Sequence, residues 1–161
     1  MGSPRSGIGE EKTDEILLGT AVRIFLVEDN PEHAFIALTV MRQVLGDAIE
    51  VLHAQTTDEA LEMITQFTEF DRPDLFFVDL RLPDNGGFAV LSAVRASEVC
   101  STIPLFVITS SIYDRDIAES YALGASAVLS KPLSRGKLRE ELARIGALPR
   151  SSVNAEMTIR H

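Results

Sequence analysis

Five short apolar runs, each followed by a longer amphipathic stretch, constrain this chain more than any other feature. The runs are VRIFLV (22–27), AIEVLHA (48–54), DLFFV (74–78), PLFVI (104–108) and ASAVLS (125–130). They are short and rich in β-branched and aromatic residues, so they read as strands. DLFFV is almost continuously hydrophobic, as befits a strand covered on both faces. Strands separated by helical crossovers build a parallel sheet with helices on both sides. The predicted class is therefore α/β, a doubly wound five-stranded parallel sheet. The alternation alone leaves several strand orders open.

The intervening stretches carry helix signals. In NPEHAFIALTVMRQVLG, Asn30 is a good N-cap, Pro31 suits the first helical position and Gly46 supplies a stop. Ala34, Leu38, Met41 and Leu45 fall on one face. Thr56 and Glu59 have the spacing of a capping box, ahead of Leu61, Ile64 and Phe67. The turn DLRLPDNGG leads into a helix carrying Phe88, Leu91 and Val94. A fourth helix runs from about 114 to 123, stopped at Gly124, and a fifth carries Leu138, Leu142 and Ile145. Residues 21–147 form one expected domain. Residues 1–20 read as a flexible extension, and residues 148–161 as a disordered tail or, through VNAEMTI, a dimerisation arm.

Composition narrows the partners. Acidic residues outnumber basic ones 24 to 15, for a formal charge of −9, a field that opposes nucleic acid and anionic membranes and suits metal cations or basic protein patches. The single cysteine, Cys100, excludes an intrachain disulfide and a Cys-rich zinc site. No apolar run approaches the roughly 20 residues of a membrane span, and no signal-peptide block opens the chain. A reducing, cytoplasmic setting is the expectation.

Polar residues collect at the C-terminal ends of the strands: Glu28 and Asp29 after the first, Asp79 after the third, Thr109 and Ser110 after the fourth, Ser130 and Lys131 after the fifth. That edge is where open α/β sheets bind ligands. Three converging carboxylates repel one another unless a cation neutralises them. A hard oxygen site with few protein ligands suits Mg²⁺ best, with Mn²⁺ or Ca²⁺ as alternatives. Asp79 is then the candidate nucleophile for phosphoryl transfer, with Lys131 and the Thr109 hydroxyl as contacts to phosphoryl oxygens. Pro132 offers a cis peptide that would set the loop after Lys131. Each residue alone has a plainer reading. Glu28 and Asp29 would cap a helix dipole, Lys131 would be a solvated lysine, and Thr109 would close a turn. Only the constellation favours chemistry.

FLVEDNP, FFVDLRLPDNGG, VITS and LSKP together resemble the receiver domain of two-component response regulators, a likeness covering roughly residues 22–146. The intervals from Asp79 to Thr109 and from Thr109 to Lys131, thirty and twenty-two positions, are those of that family. The resemblance implies a flavodoxin-like sheet in the order 2-1-3-4-5 and Mg²⁺-dependent transfer from a histidine kinase's phosphohistidine to Asp79. It further implies metal ligation by Glu28, Asp29, Asp79 and the backbone carbonyl of Arg81, a Lys131–phosphoryl contact and a switching Thr109. TSSIYDRDIAESYALGA is similar to stand-alone receivers partnered with phytochrome kinases. Val128 departs from the family pattern, occupying the position of the usual aromatic switch, so readout falls to loop and helix shifts or to Tyr113 or Tyr121. Gly86, where an acidic residue is frequent, is expected to have little chemical consequence.

Few residues follow the last predicted helix, so output is expected through protein contacts: a kinase, a phosphotransfer protein or a second copy in a homodimer. The face of the fourth helix, fifth strand and fifth helix offers Ile117, Tyr121, Leu133 and Leu138; the plainer reading is that most of these are core, Leu138 at least. The chain is expected to be a phosphoacceptor rather than an enzyme, with at most slow hydrolysis of its own acyl phosphate. An aspartyl phosphatase is disfavoured because Arg81 and Pro31 stand where an Asp-x-Asp acid belongs; turnover of external phosphoesters would revive it. An adaptor without chemistry is the other alternative, which unchanged partner affinity in Asp79→Ala would support.

Overall fold

The computed structural model describes residues 21–111 and 113–148. The expected N-terminal extension and the VNAEMTI segment lie outside the described residues. In chain order the elements are β1 (Arg23–Val27), α1 (Pro31–Leu45), β2 (Glu50–Ala54), α2 (Thr57–Gln66), β3 (Leu75–Asp79), α3 (Gly87–Ala96), β4 (Leu105–Thr109), α4 (Asp114–Ala122), β5 (Ala127–Ser130) and α5 (Arg135–Arg144). The strands form one parallel sheet in the order β2-β1-β3-β4-β5. All five expected strands and helices are present, with ends shifted by one or two residues.

Alternation along the central strands divides the core in two. Phe25, Phe76, Val78 and Val107 face α2 and α3, meeting Ile64, Val90 and Leu91. Ile24, Leu26, Phe77, Phe106 and Ile108 face α1 and α5, meeting Met41, Leu138 and Leu142. Every residue of β3 and β4 is buried, so successive side chains enter different apolar layers. This is why DLFFV lacks the polar alternation of a half-exposed strand.

The helix starts follow their sequence signals. Asn30 accepts from the amides of Glu32 and His33 at 2.9 and 3.2 Å. Thr56 accepts from the Glu59 amide at 3.1 Å, but the Glu59 carboxylate reaches the amide of Gln55 at 3.2 Å, one residue before the cap. Of the four residues offered as an interaction face, Leu138 is core as its plainer reading held, and Leu133 is core with it, both buried against α1 and the sheet. Their spacing served inward packing, leaving Ile117 partly and Tyr121 openly accessible. Among the α4 residues only Ser120 is fully buried, so this helix is lightly anchored.

Arg95 ties the far edge of the domain together. Its guanidinium donates to the carbonyls of Ser101, Ile103 and Gly124 at 2.7–3.0 Å. Gly124, at φ +103°, has no room for a Cβ, which would lie 2.7 Å from the Arg95 side chain. Arg95→Ala leaves those carbonyls unpaired and is expected to lower unfolding stability by about 2–3 kcal/mol, checked by urea denaturation.

Candidate metal and phosphoryl site

Parallel pairing brings the polar strand ends to one edge. Glu28 and Asp29 follow β1, Asp79 closes β3, Thr109 closes β4, and Lys131 follows β5 and precedes a cis Pro132. Glu28, Asp79 and Thr109 are buried, at 3, 4 and 1 % exposure, where an unpaired charge would be costly. Lys131 answers that cost. Its ammonium donates to Glu28 Oε1 at 2.5 Å and to Asp79 Oδ2 at 2.9 Å.

Carboxylate oxygens of Glu28, Asp29 and Asp79 all lie within 4.8 Å of one another. This is a hard, all-oxygen donor set suited to a divalent cation. The remaining oxygen of Asp79 is oriented by the Arg81 amide, which donates to Oδ1 at 2.9 Å. Thr109 Oγ1 accepts from the Ser111 amide at 3.0 Å, and its carbonyl accepts from the Lys131 amide at 2.9 Å. The expected residues therefore converge: Glu28, Asp29, Asp79 and Lys131 directly, with Thr109 on the adjoining strand end. Beside them opens a cavity of about 250 Å³. Glu28, Asp79, Ser110 and Lys131 line its polar side, and Ile36, Ala37 and Leu133 its apolar side.

Burial pushes the Glu28 carboxyl up to about 7; the Lys131 hydrogen bond works against this and the Asp79 charge adds to it. Burial works to lower the Lys131 pKa, but its bonds to Glu28 and Asp79 outweigh it and hold the pKa above the usual lysine value.

Several contacts escaped the sequence reading. His33 Nδ1 lies 3.0 Å from Lys131 Nζ and 3.8 Å from Glu28 Oε1; its place in the first turn of α1, whose start faces the strand ends, was the available signal. His53 Nε2 meets the Glu28 carbonyl at 2.8 Å, a contact set by β1–β2 register. Arg81 was expected only for its carbonyl, yet its guanidinium pairs with Asp116 at 3.1 Å. Gly86 has a steric role that its expected chemical silence did not convey: a Cβ there would lie 1.8 Å from Thr57 Oγ1. Thr57 also donates to Asp84 at 2.8 Å. At the departed switch position, the Val128 amide donates to the Tyr121 hydroxyl at 3.3 Å.

This fold and site define a flavodoxin-like domain of the signalling type. Residues 24–143 match the family model of the response regulator receiver domain, and the chain belongs to that family. The probable methanogenesis regulatory protein FilR2 of Methanothrix harundinacea is 32% identical over 76% of this chain and 79% of its own. The bacteriophytochrome response regulator AtBRR aligns with a TM-score of 0.66 at 30% identity, covering 80% of this chain and 95% of its own. The receiver domain of the sensor histidine kinase PA1611 of Pseudomonas aeruginosa, solved with magnesium in its active-site cleft, aligns at 0.64 and 26% identity over 78% and 97%. Among the described residues no helix is long and apolar enough to cross a membrane.

The raised Glu28 pKa predicts how metal-free stability responds to pH. Between about 4.5 and about 7 the folded state keeps a proton on Glu28 that the unfolded chain has lost, so stability falls as pH rises through that window. Urea midpoints measured in chelator should therefore drop from pH 5 to pH 7.5, and Glu28→Gln should flatten the decline.

Proposed function

We infer that this receiver accepts a phosphoryl group on Asp79 from the phosphohistidine of a sensor histidine kinase. The observation that carries this reading is the Lys131 ammonium held between Asp79 and Glu28, at the rim of a three-carboxylate cluster. An Asp79 oxygen attacks phosphorus as the phosphorus–nitrogen bond breaks, and the donor imidazole keeps the electron pair. Lys131 is placed to exchange one carboxylate contact for a phosphoryl oxygen. Thr109 turns its hydroxyl from the Ser111 amide toward the same group, biasing a two-state equilibrium.

Glu28, Asp29, Asp79 and the backbone carbonyl of Arg81 are the residues that would hold Mg²⁺. When bound, Mg²⁺ supplies screening between the Asp79 carboxylate and an incoming phosphoryl group. The likeness to AtBRR, a bacteriophytochrome response regulator, supports a phytochrome-type kinase as the donor. Ile117 and Tyr121 on α4 support output through protein contacts, a second copy of the chain among them.

Incubation with Mg²⁺ and phosphoramidate should add one phosphoryl group to the intact mass of the wild type, and none to Asp79→Asn or to the wild type in chelator. A wild type that stays unmodified while folded would defeat the reading and favour an adaptor without chemistry.

A further inference from the structure

Arg81 lies two residues after Asp79, yet its guanidinium is committed to another element. It donates to Ser111 Oγ at 3.3 Å and to Asp116 Oδ2 at 3.1 Å in the first turn of α4, and it sits 5.9 Å from the centre of the Tyr113 ring. Asp116 also accepts from the Ser111 hydroxyl at 2.6 Å, and the Ser111 amide donates to Thr109 Oγ1. Hydrogen bonds at the two ends of Arg81, its amide on Asp79 and its guanidinium on Asp116 and Ser111, thus link Asp79 to α4 and, through the Ser111 amide, back to Thr109.

We propose that Arg81 is a movable cation with Asp116 as its resting partner, passing to the phosphoryl oxygens when Asp79 is modified and so releasing the first turn of α4. The proposal rests on Asp79 being the phosphoacceptor. Charge supplies the driving force. In the unmodified site one ammonium faces the three carboxylates, and a divalent cation, when bound, would complete their balance. Phosphorylation replaces the single negative charge of Asp79 by about two, and Lys131 is already shared with Glu28 at 2.5 Å. One cation is then wanting, and Arg81 is tethered beside the site by its own backbone, whose amide already touches Asp79.

The resting contact is suited to being broken. The Arg81 side chain is 48% exposed against 15% for Asp116, so the guanidinium is the solvated, exchangeable half of a pair whose carboxylate stays in place. Asp116 is not stranded by the departure, because it keeps the Ser111 hydroxyl and the favourable N-terminal end of α4. With only Ser120 fully buried among its residues, α4 is otherwise held by its packing on β5 and by the Tyr121 hydroxyl at the Val128 amide, away from its first turn. Arg81 is a positioning residue for α4 in one state and a phosphoryl contact in the other.

Mg²⁺ with beryllofluoride, a stable phosphoryl mimic, provides the probe. Its binding is read by fluorine NMR and α4 by amide hydrogen exchange at Asp116 and Ile117. In the wild type the probe should raise exchange at those amides severalfold. Asp116→Asn should show raised exchange without the probe and bind it about threefold tighter, because Arg81 is already free. Arg81→Ala should show the same raised exchange but bind it about tenfold weaker, with Arg81→Lys between. A merely structural pair would not split affinity in opposite directions. Bound fluoride with α4 exchange unmoved, or Asp116→Asn binding no tighter than wild type, would overturn the proposal alone. Absence of any Mg²⁺-dependent bound fluoride in a folded wild type would overturn the Asp79 reading and the proposal with it.

Discussion

The Lys131 ammonium set between Glu28 and Asp79 is the interaction on which the site depends. Two buried carboxylates from neighbouring strands would otherwise repel one another in a region with little water to screen them. One flexible cation, delivered from the end of β5, two places from β3 and three from β1 in the sheet, makes that arrangement tolerable. It also leaves the carboxylates with acceptor capacity directed at the same space. The site is thus stable enough to fold and still charged enough to attract a divalent ion.

The sheet makes this possible by being parallel and wholly covered. Because β3 and β4 are buried on both faces, their register is held by two apolar layers, and their last residues cannot slip without exposing phenylalanines. Asp79 and Thr109 inherit that rigidity. The less deeply buried parts sit around them: the loop carrying Arg81, and α4, of whose residues only Ser120 is fully buried. A rigid floor beneath a ring of polar contacts is the physical basis of the proposed coupling between the charge at Asp79 and α4. With valine at position 128, the Tyr121 hydroxyl and the Arg81–Asp116 pair are the contacts that join α4 to its surroundings on this side of the molecule.

Much of this was legible before any coordinates. Asn30, Pro31 and Gly46 marked α1 because capping is local chemistry. DLFFV announced a central strand because only a strand covered on both sides can be apolar throughout. The acidic pair, Asp79, Thr109 and Lys131 were visible because each falls at the end of an apolar run. Leu138 was legible as core from its i, i+4 spacing with Leu142, but Leu133 was harder: it precedes the N-cap Ser134, where no periodicity says whether an apolar side chain faces a core or a partner. The steric role of Gly86 is not legible because its constraint comes from Thr57 Oγ1, a contact between distant parts of the chain.

By itself the sequence determined the alternating strands and helices, the caps and the types of residue gathered at the strand ends, because these follow from local propensity and periodicity. Tertiary structure decided which of those residues meet. Lys131 choosing Glu28 and Asp79, His33 reaching Lys131, His53 reaching the Glu28 carbonyl and Arg81 turning to Asp116 are all settled by strand order, register and helix placement. Those are properties of the packed sheet, where angstrom distances join residues as many as 103 positions apart, and no local pattern encodes them.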